Sequence, residues 1–292
     1  MPALTEALMD AIDENQLRGW IGRSEERRDV AGAMQVAAMA ATLDVADMAT
    51  DAGAAVPPLW HWMYFIPLAR HSEIGPDGHP QRGGFLPPVP LPRRMWAGGR
   101  LDFHAPLEIG EAITRISRIQ DVSLKTGRSG TLAFVTVRHE ISNTRGVAIT
   151  EEHDIVYREN PRPDALAPQP QPAPEGMTMW RDIVPDPVLL FRYSALTFNG
   201  HRIHYDRPYV TGVEGYPGLI VHGPLIATLL LDLLRRDQPQ ADVRRFRFRA
   251  VRPIFDIHRF TVCGRPDGAG TFALWARDHA GCLAMEASAD VA

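Results

Sequence analysis

Cysteine is nearly absent from this sequence: Cys263 and Cys282 are the two cysteines among 292 residues. Two cysteines exclude a disulfide framework and a zinc site built from cysteine ligands. Lysine is rarer still, because Lys125 is the single lysine among 31 basic residues. Neither sign of charge dominates, since the formal net charge is −4. The chain therefore has no overall basic field that would predict nucleic acid or anionic lipid as a partner.

Targeting and membrane-spanning patterns are also missing. The first twenty residues carry several acidic side chains and no basic stretch followed by an apolar one, so we expect no signal or transit peptide. The most apolar segment, residues 219–236, is too short and too interrupted to span a membrane. We therefore expect a cytoplasmic protein with no membrane partner.

The rest of the composition is typical of a globular protein. Apolar residues make up 45% of the chain and charged residues 23%, which excludes wholesale disorder. The length predicts two domains or a duplicated unit. Six of the fifteen residues in 161–175 are proline, and such a run is typical of an extended linker. We predict a first half over 1–160 and a second half over 176–292.

In the second half, an apolar stretch is followed by several strand-like segments. Residues 219–236 contain good helix formers after Pro224, and proline suits the first turn of a helix. A helix that is apolar on nearly all faces is expected to be wrapped by a sheet. Alternating and β-branched residues predict strands at 243–255, 259–262, 271–277 and 282–288. This order predicts an α+β fold in which antiparallel strands wrap around one central helix.

The first half repeats this order. Pro57-Pro58 opens an apolar aromatic segment, 59–66, in the place of the helix. Strands are predicted at 100–103, 112–119, 131–141 and 147–157. Three short stretches match in the same order between the halves: 40–44 with 195–199, 58–59 with 224–225, and 106–107 with 253–254. We therefore predict a duplicated unit.

Polar groups that suit acid–base chemistry gather ahead of the apolar helix of the second half. They are Asn199, His201, His204 and His222. Gly223 stands where the helix should begin, where free N–H groups and the positive end of the helix dipole stabilise negative charge. A histidine exchanges protons near neutral pH. A proton carrier beside an oxyanion donor is what chemistry alpha to a thioester carbonyl requires.

These residues resemble a motif of the MaoC-like hotdog enzymes, written as aspartate, four residues, histidine. Asn199 and His204 keep that spacing, and IVHGPL follows them. The first-half segments PPLWHWMYF, DGHP, GGFLPP, PRRMWAGGR and EEHDIVYRE resemble the fatty-acid-synthase-type dehydratase half of mesaconyl-C4-CoA and itaconyl-CoA hydratases. The likeness covers roughly residues 20–292. It implies a double hotdog, with two antiparallel sheets each wrapped around a central helix. It also implies hydration or dehydration of an acyl thioester, with no metal or redox cofactor and with coenzyme A as part of the substrate.

The chain departs from the motif where Asn199 replaces the aspartate and His201 replaces the usual asparagine. An amide neither accepts nor delivers a proton at neutral pH. In one account, His204 transfers the proton while Asn199 holds the water. In the other, a carboxylate such as Asp206 or Glu214, or one from the other half, takes the missing role. The preserved spacing of Asn199 and His204 favours the first account.

The repeat predicts that the second half alone is catalytic. At the position matching Asn199 the first half has Asp44, but Ala49 stands where a histidine would be needed. At the position matching Gly223 it has Pro57, which has no N–H to donate. We predict one active site per chain, with the catalytic residues in the second half and the first half lining the acyl pocket.

Arginines supply groups that bind anions. The alternation of arginine and phenylalanine in 244–249 has period two, which predicts a half-buried strand rather than a nucleic-acid site. Other arginines are candidates for coenzyme A phosphates or for a substrate carboxylate. The predicted substrate-binding residues are His201, His222, Arg93, Arg94 and Arg100.

The resemblance implies a hydro-lyase that acts on a branched dicarboxylyl thioester, mesaconyl-C4-CoA or itaconyl-CoA, with citramalyl-CoA as the partner species. Three alternatives remain open. A dehydratase of ordinary 3-hydroxyacyl-CoA or acyl-carrier-protein thioesters would use the same site, and a thioesterase would share the fold. A non-catalytic acyl-thioester-binding subunit would explain Asn199 as the mark of a lost site. No metal site is expected, and pairing of chains into a homo-oligomer is an expectation from the fold.

Overall fold

The computed structural model describes residues 12–127, 130–160 and 169–292, so most of the predicted linker lies outside the described residues. The strands are β1 (Ser24–Val30), β2 (Arg93–Phe103), β3 (Ala112–Gly127), β4 (Gly130–Asn143), β5 (Gly146–Arg158), β6 (Met179–Ile183), β7 (Val243–Ala250), β8 (Phe260–Pro266), β9 (Thr271–Arg277) and β10 (Leu283–Val291). The α-helices are α1 (Glu14–Arg18), α2 (Ala33–Thr42), α3 (Pro187–Thr197), α4 (Arg207–Gly212) and α5 (Gly223–Asp237).

All ten strands join into one antiparallel sheet. Its order is β1-β3-β4-β5-β2-β7-β10-β9-β8-β6. Read from each outer edge inward, the two halves have the same strand order, and β2 pairs with β7 at the centre. The two predicted sheets are therefore fused edge to edge. Gly99 suits this seam, because a Cβ there would lie 2.8 Å from the ring of Phe248 on β7.

Helix α5 is the central helix of the second half, as predicted. Pro224 occupies its first turn, and ten of its side chains are buried. The helix packs against β6, β8, β9 and β10, so the sheet wraps around it and removes its apolar surface from water. The α+β class and the helix-in-sheet arrangement are thus confirmed. Within the described ranges, no helix is long and apolar enough to cross a membrane.

The first half differs from the prediction, because its aromatic segment forms one 3₁₀ turn, Trp60–Met63, instead of a long helix. Leu59 before the turn and Phe65 after it have left-handed backbones, with φ of 70° and 57°, which an α-helix does not tolerate. Trp60, Met63 and Tyr64 are almost fully buried. Large side chains rather than a long helix therefore fill this part of the first half.

Backbone hydrogen bonds reveal which residues of the two halves correspond. The N–H of Val56 donates to the carbonyl of Leu107 over 2.8 Å, and that of Val221 donates to the carbonyl of Ile254 over 2.9 Å. Since Val56 corresponds to Val221, the counterpart of Gly223 is Pro58, not Pro57. The prediction that the first half has no N–H donor at this position is unchanged, because Pro58 also lacks an N–H.

The strands Ser24–Val30 and Met179–Ile183 at the two outer edges of the sheet were not predicted, and the predicted strands differ from the structure mainly at their ends. Thr271–Arg277 has the predicted bounds, whereas β2 begins at Arg93, seven residues before the prediction, and β7 ends at Ala250, five residues before it. The arginine–phenylalanine alternation forms β7, with Phe246 and Phe248 buried. Residues 171–173, the described end of the predicted linker, hydrogen-bond to 281–283 at the start of β10.

Candidate active site

Helix α3 presents Asn199 at the start of the site loop. Phe198 ends the helix with a left-handed backbone (φ 51°), which turns the chain out of the helix. The Asn199 N–H donates to the carbonyl of Ser194 over 2.8 Å. Its side-chain Oδ1 accepts from the N–H of His201 over 3.0 Å. The Nδ2 group of Asn199 has no protein partner among the described residues, so it is available to donate to a bound water.

His204 follows on a 3₁₀ turn, Arg202–His204, and is 7% exposed. Its Nδ1 lies 2.7 Å from the carbonyl oxygen of Ile220. A carbonyl only accepts, so Nδ1 carries the proton and Nε2 presents a lone pair. Burial lowers the pKa of His204 to about 4. The imidazole is therefore neutral at pH 7 and able to accept a proton from water.

His222 holds the ring of His204 in place. The two imidazoles stack with their centroids 3.7 Å apart. His222 is fully buried, and its Nε2 lies 2.8 Å from the hydroxyl of Ser194 on α3. His222 is therefore a positioning residue that links the site loop, α3 and the start of α5.

Gly223 is the first residue of α5, directly after His222. The N–H of a first helical residue has no acceptor within the helix, and it lies at the positive end of the dipole. A Cβ built on Gly223 would have the carbonyl oxygen of Trp96 as its nearest neighbour, at 3.9 Å. Gly223 is half-buried, and among the described residues no backbone carbonyl accepts from its N–H.

A loop of the first half completes the site. Gly78, with φ +89°, lies so close to Gly200 that a Cβ on Gly78 would come within 1.9 Å of the Gly200 carbonyl oxygen. The N–H of Arg202 donates to the carbonyl of Asp77 over 2.9 Å. Glycine is thus required where the two halves meet. This contact brings Asp77 and His79 to the loop that carries His201 and His204.

Asp77 and His79 form a carboxylate–imidazole pair beside His201. Asp77 Oδ2 lies 3.0 Å from Nδ1 of His79, and Oδ1 accepts from the His79 N–H over 3.0 Å. The His79 and His201 rings lie 4.0 Å apart. The hydrogen bonds from His79 hold the pKa of the Asp77 carboxyl well below its usual range despite burial. Burial lowers the pKa of His79, and it lowers that of His201 to about 2.

Asp77, His79 and His201 also have the spacing of metal ligands, with one potential ligand atom from each lying within 4.8 Å of the others. Both carboxylate oxygens of Asp77 are engaged by His79, however. These hydrogen bonds fix the carboxylate and the His79 ring relative to each other. We interpret the cluster as a hydrogen-bonded part of the acid–base site.

The structure brings most of the predicted site residues together. They are Asn199, His201, His204, His222 and Gly223. Arg94 stands on β2, two residues before Trp96, whose carbonyl oxygen faces Gly223. Arg93 instead donates to Asn160, to Tyr216 and to the backbone of Glu214. Arg100 binds Glu152 and Asp154. The contacts of Arg93 and Arg100 are therefore made within the protein.

Sequence reasoning missed Asp77 and His79 as site residues. The DGHP segment was recognisable from its resemblance to the family, but its glycine and proline residues predicted only a turn-rich loop. The two carboxylates considered from the second half are engaged elsewhere. Asp206 accepts from Arg202 and from the N–H of Tyr209 at the start of α4. Glu214 pairs with Arg93.

The buried histidines predict an acid-sensitive fold. In the unfolded chain a histidine has a pKa near 6.5, whereas folded His204 titrates near 4. The unfolded state therefore binds the extra proton first as the pH falls. Stability should be fully present above pH 6.5 and decline towards pH 4, by about 3 kcal/mol from His204 alone. Thermal unfolding followed across this range measures the decline.

The variant His204→Gln serves as the control for this effect. With one buried imidazole removed, the melting temperature should fall less steeply between pH 6.5 and pH 4 than in the unaltered protein. A melting temperature that stays level over that range in the unaltered protein would show that these histidines are not buried in their neutral form.

Comparisons with known proteins agree with this geometry. The model of the family Hydroxyacyl-thioester dehydratase type 2 matches residues 59–256. Mesaconyl-C(4)-CoA hydratase of Chloroflexus aurantiacus is 49% identical over 275 residues, which is 93% of this chain and 96% of that protein. The mitochondrial hydroxyacyl-thioester dehydratase type 2 of Schizosaccharomyces pombe is 29% identical over 234 residues, 70% of this chain and 76% of that protein.

Solved structures show the same fold. A MaoC-like dehydratase superposes with a TM-score of 0.70 at 14% identity, covering 94% of this chain and 99% of its own. HtdX of Mycobacterium tuberculosis has a TM-score of 0.63 at 19% identity, covering 92% of this chain and all of its own. The double-hotdog prediction is thereby confirmed. By its match to the family model and by its relatives, the chain belongs to the hydroxyacyl-thioester dehydratase type 2 family of hydro-lyases.

Proposed function

We propose that this protein adds water across the double bond of an enoyl-CoA thioester, with mesaconyl-C4-CoA as substrate and citramalyl-CoA as product. One observation carries the proposal: the Nδ1 proton of His204 is fixed on a backbone carbonyl, which leaves Nε2 as a base on a ring that stacks on His222, the residue before Gly223. The 49% identity to a mesaconyl-C(4)-CoA hydratase supports the choice of substrate. A cytoplasmic location and a homo-oligomeric assembly stay predictions from the sequence.

In the proposed mechanism, the thioester carbonyl oxygen binds the N–H of Gly223. Addition of hydroxide to the β-carbon moves electrons onto this oxygen, which becomes negative as an enolate forms. The N–H and the positive end of α5 stabilise that charge, and one such donor is typically worth about 3 kcal/mol. Because Gly223 has no side chain, the substrate carbonyl can approach the backbone directly.

A water molecule held between Nδ2 of Asn199 and Nε2 of His204 is the proposed nucleophile. His204 takes one proton of the water while the oxygen bonds to the β-carbon. The resulting imidazolium then gives the proton to the α-carbon as the enolate collapses. His204 returns to its neutral form, and the product carries one hydroxyl and one hydrogen more than the substrate. The geometry at Ile220 keeps the lone pair of Nε2 available for each turnover.

Asp77 is suited to positioning rather than to proton transfer. Its two oxygens both bind His79, and the pKa of its carboxyl lies well below the usual range, which makes it a weak base. Through His79 and His201 it orders the loop that carries Asn199. These contacts favour the account in which Asn199 holds the water and His204 alone transfers the proton.

Replacing Asn199 by aspartate separates the two accounts. The new carboxylate keeps the acceptor for the His201 N–H but loses the Nδ2 donor that holds the water. We expect kcat to fall about tenfold, the usual cost of one lost hydrogen bond in a site. Stopped-flow hydration rates measure the effect, with Asp77→Asn as a comparison in which the loop alone is loosened. A large gain in rate for Asn199→Asp would instead show that the site lacks a carboxylate.

The proposed function is tested by following the absorbance of the enoyl-thioester band. Mesaconyl-C4-CoA should lose this absorbance, with citramalyl-CoA appearing at the same rate. Crotonyl-CoA, followed at the same band, and itaconyl-CoA, followed by the appearance of citramalyl-CoA, show how narrow the specificity is. Equal activity on crotonyl-CoA would favour a dehydratase of ordinary acyl chains, in line with the name of the Schizosaccharomyces pombe relative. Release of free coenzyme A would indicate a thioesterase. Tight binding without any reaction would indicate a binding subunit and would overturn the proposal.

A further inference from the structure

Arg94 lies on β2, two residues before Trp96, whose carbonyl oxygen faces Gly223, and among the described residues it has no carboxylate partner. It is the second residue of β2 and faces Tyr157 directly across the β2–β5 ladder. Arg94 is half-buried, and Tyr157 is 1% exposed. Among the described residues, no aspartate or glutamate forms a salt bridge with Arg94. A half-buried guanidinium of this kind is stabilised when an anion binds it.

The neighbouring arginines do not share this property. Arg93 pairs with Glu214 at 3.4 Å. Arg100, on the same strand, binds two carboxylates, and these raise its pKa. Both guanidinium groups are therefore already neutralised within the protein. Of the three arginines predicted to bind substrate, Arg94 is the one whose charge remains available to a ligand.

The charge of Arg94 acts on the reaction site. It contributes to lowering the pKa of both His79 and His201, and it counteracts the burial that raises the pKa of Tyr157. Burial also lowers the pKa of His204 to about 4. The site histidines are thus neutral at pH 7, and they supply no positive charge to a bound anion. The permanent charge of Arg94 supplies it.

We propose that Arg94, together with the Tyr157 hydroxyl, binds the free carboxylate of a dicarboxylic acyl group and so selects such thioesters over unbranched monocarboxylic ones. The inference rests on the proposed function and deepens it. In mesaconyl-C4-CoA the free carboxylate is attached to the β-carbon, the atom that receives water. A group that binds this carboxylate must lie next to the reacting atoms. Arg94 meets this condition through its strand, because it stands two residues before Trp96, whose carbonyl oxygen is the nearest neighbour of a Cβ at Gly223.

The position of the subsite also assists the reaction. A carboxylate held by an arginine fork and a phenol is fixed in direction as well as in place, because these donors form parallel hydrogen bonds. The β-carbon is then one bond away from a fixed group, while the carbonyl oxygen is fixed at Gly223. The double bond is therefore held at both ends, and this orientation lowers the entropic cost of adding water.

The test compares two thioesters that differ in the carboxylate. Arg94→Gln should lower kcat/KM for mesaconyl-C4-CoA by at least about 100-fold, since a buried charge pair is broken. With crotonyl-CoA, which lacks the carboxylate, kcat/KM should change by less than about threefold, because no contact with that substrate is lost. Tyr157→Phe should reduce the mesaconyl-C4-CoA value by about five- to tenfold, as for one hydrogen bond.

Two controls keep the outcome interpretable. Arg100→Gln removes an arginine of the same strand and should leave the ratio between the two substrates unchanged. Succinyl-CoA and butyryl-CoA, saturated thioesters with and without a carboxylate, serve as inhibitors. Arg94→Gln should weaken inhibition by succinyl-CoA alone, and Arg94→Lys should restore part of it. This readout does not depend on turnover.

Parallel losses with both substrates, as expected if Arg94 binds a phosphate of coenzyme A or supports the fold, would overturn the subsite. Unchanged values with both substrates would overturn it too. The proposed function fails separately, if the unaltered protein hydrates neither thioester. If the unaltered protein hydrates crotonyl-CoA and not mesaconyl-C4-CoA, hydration stands and the carboxylate subsite does not.

Discussion

Replacing His204 by alanine should lower kcat by about 10² to 10⁴-fold, the range for loss of a general acid–base group. The reason lies in its two nitrogens. Nδ1 donates its proton to the Ile220 carbonyl. In the proposed mechanism, Nε2 is therefore the atom that accepts the proton of the water. KM should change little, because His204 contacts the water rather than the coenzyme. Steady-state hydration of mesaconyl-C4-CoA measures both constants.

The control for this variant is His279→Ala, which removes an exposed histidine of the second half and should leave kcat unchanged. Melting temperatures of both variants separate a loss of chemistry from a loss of folding. Retention of more than a few per cent of activity by His204→Ala would contradict a single active site in the second half. It would direct attention to His79 and His201 as alternative proton carriers.

The oxyanion donor can be removed with little change to the backbone. In Gly223→Pro the N–H is lost and the ring carbon Cδ occupies its place. His222 has φ −59° and ψ 130°, the extended conformation that a residue before proline prefers. The variant should therefore fold, since proline also suits the first turn of a helix. We expect kcat to fall by about 10² to 10³-fold, as when one oxyanion donor is removed.

Gly223→Ala is the matched control, because it keeps the N–H. Its Cβ would lie 3.9 Å from the Trp96 carbonyl oxygen, an ordinary contact. If Gly223→Ala retains most of the activity while Gly223→Pro loses it, the N–H is the element that matters. Equal losses in the two variants would show that space above Gly223, rather than the donor, controls the rate.

Hydrophobic patterns predicted the sheet and helix α5 well. In β4, half-buried and buried residues alternate from Gly130 to Ser142. For the aromatic segment of the first half, the same reasoning predicted a helix that the structure does not contain. Its apolar residues fit a buried helix equally well, and only the tertiary structure holds Leu59 and Phe65 in left-handed conformations. Helices α2 and α3 were missed because their apolar pattern shows weak amphipathic periodicity.

The site was predicted where its residues are close in sequence. Asn199, His204 and Gly223 stand within one loop and one helix start, so their spacing carries the information. Asp77 and His79 come from more than a hundred positions away and reach the loop through the approach of Gly78 to Gly200. No local pattern reports such a contact. Likewise, composition alone could not separate Arg94 from Arg93, because the difference lies in which partners each one meets in the fold.

The pairing of β2 with β7 fuses two units that share one strand order. In an assembly of two identical single-unit chains, every substitution would occur twice, once in each copy. Within one chain the copies can diverge independently. The first unit was therefore able to accept Pro58 at the position of the proposed oxyanion donor, while its Asp77 and His79 contact the loop of the second unit that carries His201. Covalent fusion thus permits a division of labour that symmetry would forbid.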